Sequence, residues 1–125
     1  MKSYEAWLVK AEHDLASARR LSEGDNPILD TAIYHTQQCA EKALKAYLSF
    51  MKQPIEKTHD VGLLVELCAA IDESFNRLLN DAKILTPYDT AFRYPDIDMN
   101  PDKDDVAEAI EKASKIIAFV KQMIK

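Results

Sequence analysis

Apolar residues recur at helical spacing along most of the chain. The strongest pattern is residues 28–52, ILDTAIYHTQQCAEKALKAYLSFMK, which no Gly or Pro interrupts before Pro54. At 100° per residue, Leu29, Ala32, Ile33, Ala40, Ala43, Leu44, Tyr47 and Met51 share one broad face, which predicts a core-facing helix. Asn26 is placed to cap it, and Pro27 suits a first helical position, where a missing N–H costs nothing. On the opposite side Gln38, Glu41, Lys42 and Lys45 form a polar stripe at i, i+3, i+4 and i+7, with Tyr34 one turn earlier. By spacing alone this stripe is a solvated face. Glu41 before Lys45 is the favourable i,i+4 order, worth roughly 0.2–0.5 kcal/mol to a helix.

The same periodicity marks the other elements. A first helix is predicted from about Ser3, a plausible N-cap, to about Ser22, with Tyr4, Trp7, Leu8, Ala11, Leu15 and Ala18 on one stripe. Trp7 is the only tryptophan, and core anchoring is its expected role. Glu23-Gly24-Asp25-Asn26 is a short polar link. Thr58 is placed to cap a short third helix carrying Leu64, Leu67, Cys68 and Ile71, and Asp72-Glu73-Ser74 reads as a break. A fourth segment carries Phe75, Leu78, Leu79, Ala82 and Leu85, and Thr86-Pro87 restarts the chain. Tyr88 to Phe92 makes one or two helical turns, and Arg93-Tyr94-Pro95 leads into an acidic loop. Asn100-Pro101 repeats the cap-plus-proline device ahead of a last helix from about Asp102, lined by Val106, Ala109, Ile110, Ala113, Ile117, Val120 and Ile124. Three helices of about 20 residues with short connections predict an all-α, up-and-down four-helix bundle with an additional short helix.

Composition supports this reading. In 125 residues there are 2 Gly and 5 Pro, with 47% apolar and 30% charged residues, so turns are few and a real core is available. The length fits a single domain over residues 1–125. The formal net charge is −5 and no basic run exists, so non-specific nucleic-acid binding is not expected, although a local basic groove is compatible with an acidic chain. Cys39 and Cys68 fall within apolar patterns and are expected to be reduced and buried. No signal peptide precedes the first helix and no apolar run approaches a membrane span, so a cytoplasmic protein is expected.

Candidate chemistry is sparse. His13, His35 and His59 do not match a helical metal pair, and no metal or cofactor is expected. His59 lies beside Thr58 and Asp60 at a helix start, where a local turn role competes with a catalytic one. Residues 96–104 mimic the start of a calcium loop, but Pro101 replaces the required Gly and Ala107 the bidentate Glu, so an EF-hand is excluded. No nucleophile motif and no glycine-rich phosphate loop is present; Gly24 and Gly62 are the only glycines.

Four motifs carry a resemblance. Trp7-x-x-x-Ala11-x-x-Asp14-Leu15-x-x-Ala18 is similar to the opening of HEPN domains of small prokaryotic proteins. Ala32-x-x-His35-x-x-Gln38-x-x-Glu41-Lys42-x-x-Lys45-Ala46, then Thr58-His59-Asp60, then Tyr88-x-x-x-x-Arg93-Tyr94-Pro95 follow in the matching order. The resemblance covers about residues 4–95 and implies an α-helical bundle, commonly a homodimer. It implies a frequent partner, a minimal nucleotidyltransferase, in modules like toxin–antitoxin pairs, and nucleotide binding. Many HEPN proteins are metal-independent ribonucleases using an Arg followed four to six residues later by His. Here no arginine has such a histidine. The expectation is therefore a non-catalytic component that binds a nucleotide or a nucleotidyltransferase. Gln38, Lys42, Lys45, Tyr88, Arg93 and Tyr94 are the candidate ligand residues, and the polar stripe then lines a groove or a subunit seam. The alternatives are a ribonuclease toxin with a rearranged His59 and Arg93 site, and a purely structural dimerising bundle. For Arg93 itself, pairing with Asp96 or Asp98 is the competing role.

Overall fold

A computed structural model describes residues 1–95 and 100–125. Among these, every regular element is helical: α1 (Ser3–Ser22), α2 (Leu29–Phe50), α3 (Val61–Ala69), α4 (Leu79–Leu85) and α5 (Lys103–Met123). Tighter 3-10 turns, Glu73–Leu78 and Thr86–Asp89, flank α4. The protein is thus an all-helical bundle built on three long helices, as the apolar periodicity predicts. Helix α2 lies at its centre and packs against α1, α3, α4 and α5.

That central position explains the burial of α2. Thirteen of its 22 residues are buried, against four of 20 in α1. Ala32, Ile33, Ala40, Ala43 and Leu44 are fully buried, as expected, whereas Met51 reaches the surface. Glu41 and Lys45 are also buried, at 4% and 6% exposure, so this part of the stripe is not a solvated face. Tyr47, Phe75 and Phe119 form an aromatic chain across the core, with ring centroids 4.4 and 5.0 Å apart. Cys39 and Cys68 are free and buried, and burial pushes both thiols up to about 12.

Several caps differ from the sequence expectation. Helix α2 starts after Ile28, two residues beyond Asn26, because the Ile28 N–H still bonds back to the Leu21 carbonyl at 2.8 Å. Asn26 and Pro27 therefore sit in the turn, which Gly24 enables at φ +83°. In α1 the cap is Lys2, not Ser3; its N–H donates to the Glu5 carboxylate at 3.0 Å. In α3 the cap is Asp60, which accepts from the Leu63 N–H, while Thr58 accepts from the Asp60 N–H. Thr86, from the opposite end of the segment, accepts from the N–H groups of Val61 and Gly62. In α5 the cap is Asp102, paired reciprocally with Asp105, rather than Asn100.

Candidate functional site

The polar residues of α2 form two lines, each at i,i+4 spacing. Gln37, Glu41 and Lys45 make one, and Tyr34, Gln38 and Lys42 the other. The first line is a buried polar network that reaches the site through Gln38 and His59. Glu41 accepts from Lys45 Nζ at 2.9 Å and from Gln37 Nε2 at 3.2 Å, and its other contact is His59 Nδ1 at 2.8 Å. Gln37 also donates to the His59 carbonyl at 2.8 Å, and Gln38 donates to Gln37 Oε1 at 2.7 Å. Lys45 Nζ lies 5.7 Å from the Trp7 ring centroid, so the half-buried Trp7 roofs this ion pair rather than anchoring the core.

Burial alone would raise the Glu41 carboxyl, but its bonds to His59, Lys45 and Gln37 and the charge of Lys45 outweigh it, and the group sits below the usual carboxylate range. Ionised Glu41 only accepts, so Nδ1 of His59 carries the hydrogen, and in the neutral ring Nε2 is left as the acceptor. The His59 side chain is 68% exposed, so Nε2 is accessible. A parallel arrangement joins α1 to α2. Asp14 meets His35 Nδ1 at 2.8 Å and Lys42 Nζ at 2.7 Å. Among the described residues no buried side-chain nitrogen or oxygen lacks a hydrogen-bond partner.

The segment after α4 brings Arg93 over Tyr34 of α2. Its guanidinium lies 4.2 Å from the Tyr34 ring centroid, and it donates to the Asp89 carbonyl at 3.2 Å. A cavity of about 260 Å³ opens there, lined by Tyr34, Gln38, His59, Asp89, Thr90, Arg93 and Tyr94.

Of the candidate ligand residues, Gln38, Arg93 and Tyr94 therefore share one cavity, together with His59 of the alternative ribonuclease site. Lys42 and Lys45 are turned to Asp14 and Glu41 instead. Tyr88 packs half-buried beside Phe92, ring centroids 5.9 Å apart, and burial, reinforced by Asp105 and Glu108, raises its hydroxyl above the ordinary tyrosine range. The expected pairing of Arg93 with Asp96 or Asp98 lies outside the described residues, as does most of the calcium-like loop. Sequence reasoning missed the site role of Tyr34, Asp14, His35 and Gln37. Tyr34 stands one turn before Gln38, which put it on the stripe but not under Arg93.

Among the described residues no group of three or more His, Cys, Asp or Glu is placed to hold a metal ion, and no helix is long and apolar enough to cross a membrane.

Comparison with known proteins agrees with this architecture. A crystal structure of an archaeal HEPN homologue superposes with a TM-score of 0.77 at 28% identity, covering 100% of both chains. A crystal structure of a Thermus thermophilus protein superposes with a TM-score of 0.79 at 30% identity, covering 98% of both chains. Among curated proteins no relative matches. The HEPN domain model matches residues 4–123, and the chain belongs to the HEPN domain family.

Proposed function

We propose that the protein is a non-catalytic HEPN component that binds the anionic part of a nucleotide in the Arg93 cavity. It acts as a single-domain homodimer beside a minimal nucleotidyltransferase, in a toxin–antitoxin-type module. The observation that carries the binding reading is the Arg93 guanidinium held 4.2 Å over Tyr34, in a cavity that Gln38, His59 and Tyr94 also line. A guanidinium presents a planar fork suited to phosphate, and the exposed Tyr94 ring offers a face for base stacking. Gln38 supplies an amide with both donor and acceptor atoms. The net charge of −5 does not oppose this, because local potential governs a cleft. Membership of the HEPN family supports the dimer and the partner.

Equilibrium dialysis with ATP tests the binding. Saturable binding in the micromolar-to-millimolar range, about −4 to −8 kcal/mol, is expected. Its absence sinks the reading. Sedimentation at micromolar protein should show a dimer, and a clean monomer contradicts that part.

One observation favours a second reading, metal-independent RNA cleavage. His59, oriented by Glu41 at 2.8 Å, offers a general base in the same cavity as Arg93, which could stabilise a developing phosphorane charge. The first reading expects purified protein to leave tRNA and single-stranded RNA intact. Cleavage that is lost in both His59→Ala and Arg93→Ala would establish the second.

A further inference from the structure

The Arg93 cavity holds a cation, yet its charges cancel. Asp89 lines it together with Arg93, and among the described residues His59 is the remaining lining side chain of a type that changes charge near neutral pH. With the imidazole uncharged, the Asp89 carboxylate offsets the Arg93 guanidinium. Behind His59, Glu41 and Lys45 on α2 form a second cancelling pair, bonded at 2.9 Å. Asp60, the next residue after His59, is committed to the start of α3, where it accepts from the Leu63 N–H at 3.1 Å. An anion entering the cavity therefore meets no net positive charge until the His59 ring gains one.

The ring is arranged to take that charge. Its Nδ1 is bonded to Glu41 at 2.8 Å, and the side chain is 68% exposed, so an added proton goes to Nε2. Protonation turns Nε2 from an acceptor, which would face a phosphate oxygen lone pair to lone pair, into a donor. The Nδ1 bond survives the change, because both ring nitrogens of an imidazolium donate. Glu41 then sets a buried negative charge against the imidazolium, while Arg93 and His59 together face the anion.

We infer that the cavity binds its anion together with a proton, which His59 carries on Nε2. This rests on the nucleotide-binding reading above and adds a condition to it: affinity for the anionic ligand falls as the imidazole loses its proton. His59 is then a ligand residue of the site. Glu41 is a positioning residue, acting through the ring it holds, and Asp89 sets the requirement for the proton by offsetting Arg93.

The test is calorimetric titration of ATP into wild type, His59→Gln and Asp89→Asn at about pH 6 and about pH 8, either side of the range in which histidine titrates. Melting curves at both pH values serve as folding controls, and the glutamine retains an amide donor for Glu41. Protonation of ATP itself is common to all three proteins, so ratios between them isolate the protein's part. Wild type is expected to bind about tenfold more tightly than His59→Gln at the lower pH and within about twofold of it at the higher. Asp89→Asn should bind at least about threefold more tightly than wild type at the higher pH, where Arg93 is no longer offset. Titration near neutral pH in two buffers of different ionisation enthalpy should show proton uptake by wild type and less by His59→Gln. A ratio of wild type to His59→Gln that is the same at both pH values overturns the linkage alone. So does wild-type binding without proton uptake, a result that does not depend on how either variant folds. If ATP binds wild type at neither pH, the nucleotide reading itself falls.

Discussion

Lys45 and Arg93 are both cations set against an aromatic ring, at 5.7 Å from Trp7 and 4.2 Å from Tyr34, and their surroundings differ in every other respect. Lys45 is 6% exposed and its ammonium is bonded to Glu41. Arg93 is exposed, and its guanidinium bonds to one backbone carbonyl among the described residues. The buried cation is already matched by a buried anion, so it holds elements of the fold together. Among the described residues the exposed one is positioned by stacking and a single carbonyl, an arrangement that can accept an outside anion. Burial with a dedicated partner, not residue type, separates the structural cation from the binding one.

The comparison breaks first at Glu41. Glu41→Ala leaves Lys45 buried without its anion and removes the partner of His59 and Gln37. Breaking a buried pair from one side costs about 3–5 kcal/mol, and denaturant unfolding should show a loss of that order. A loss under about 1 kcal/mol would mean that the buried Glu41 network is not structural. Replacing both members, Glu41→Leu with Lys45→Met, should cost less than Glu41→Ala alone, because no unpaired charge is then buried.

Acid sharpens the same contrast. The Glu41 carboxyl sits below its usual range in the folded protein, so its contribution is fully present above the unfolded glutamate value of about 4.3 and is lost as pH falls through the folded value. Melting temperatures of wild type and Glu41→Gln should converge as pH drops below about 4. A constant gap between them would contradict the assignment. At the small end, Arg93→Ala should change unfolding stability by less than about 0.5 kcal/mol, as for a surface position outside the packed network.

Much of the fold was legible in the sequence, because α1, α2 and α5 each repeat apolar residues at helical spacing over about five turns. The caps were less legible. Thr86 satisfies the start of α3 from 24 and 25 residues away, and no local pattern reveals such a partner. The burial of Glu41 and Lys45 was hidden for the same reason. Their spacing is that of a surface pair, and what covers them, Trp7 and His59, comes from distant segments. At the site, the family resemblance and side-chain chemistry pointed to Gln38, Arg93 and Tyr94, with His59 as an alternative catalytic residue and with Tyr88, which packs beside Phe92 instead. Neither separated them from Lys42 and Lys45, since only tertiary structure shows that Asp14 and Glu41 already hold those two amines.

The central claim is that Arg93 binds ligand while Lys42 binds the fold. Calorimetric titration of ATP into wild type, Arg93→Ala and Lys42→Met, with melting curves on the same samples, tests it most directly. The account predicts that Arg93→Ala weakens ATP by about 1.5–3 kcal/mol at an unchanged melting temperature, the range for hydrogen bonds to a charged group. Lys42→Met should lower the melting temperature and leave ATP affinity unchanged. Affinity that falls with Lys42→Met and survives Arg93→Ala would contradict it.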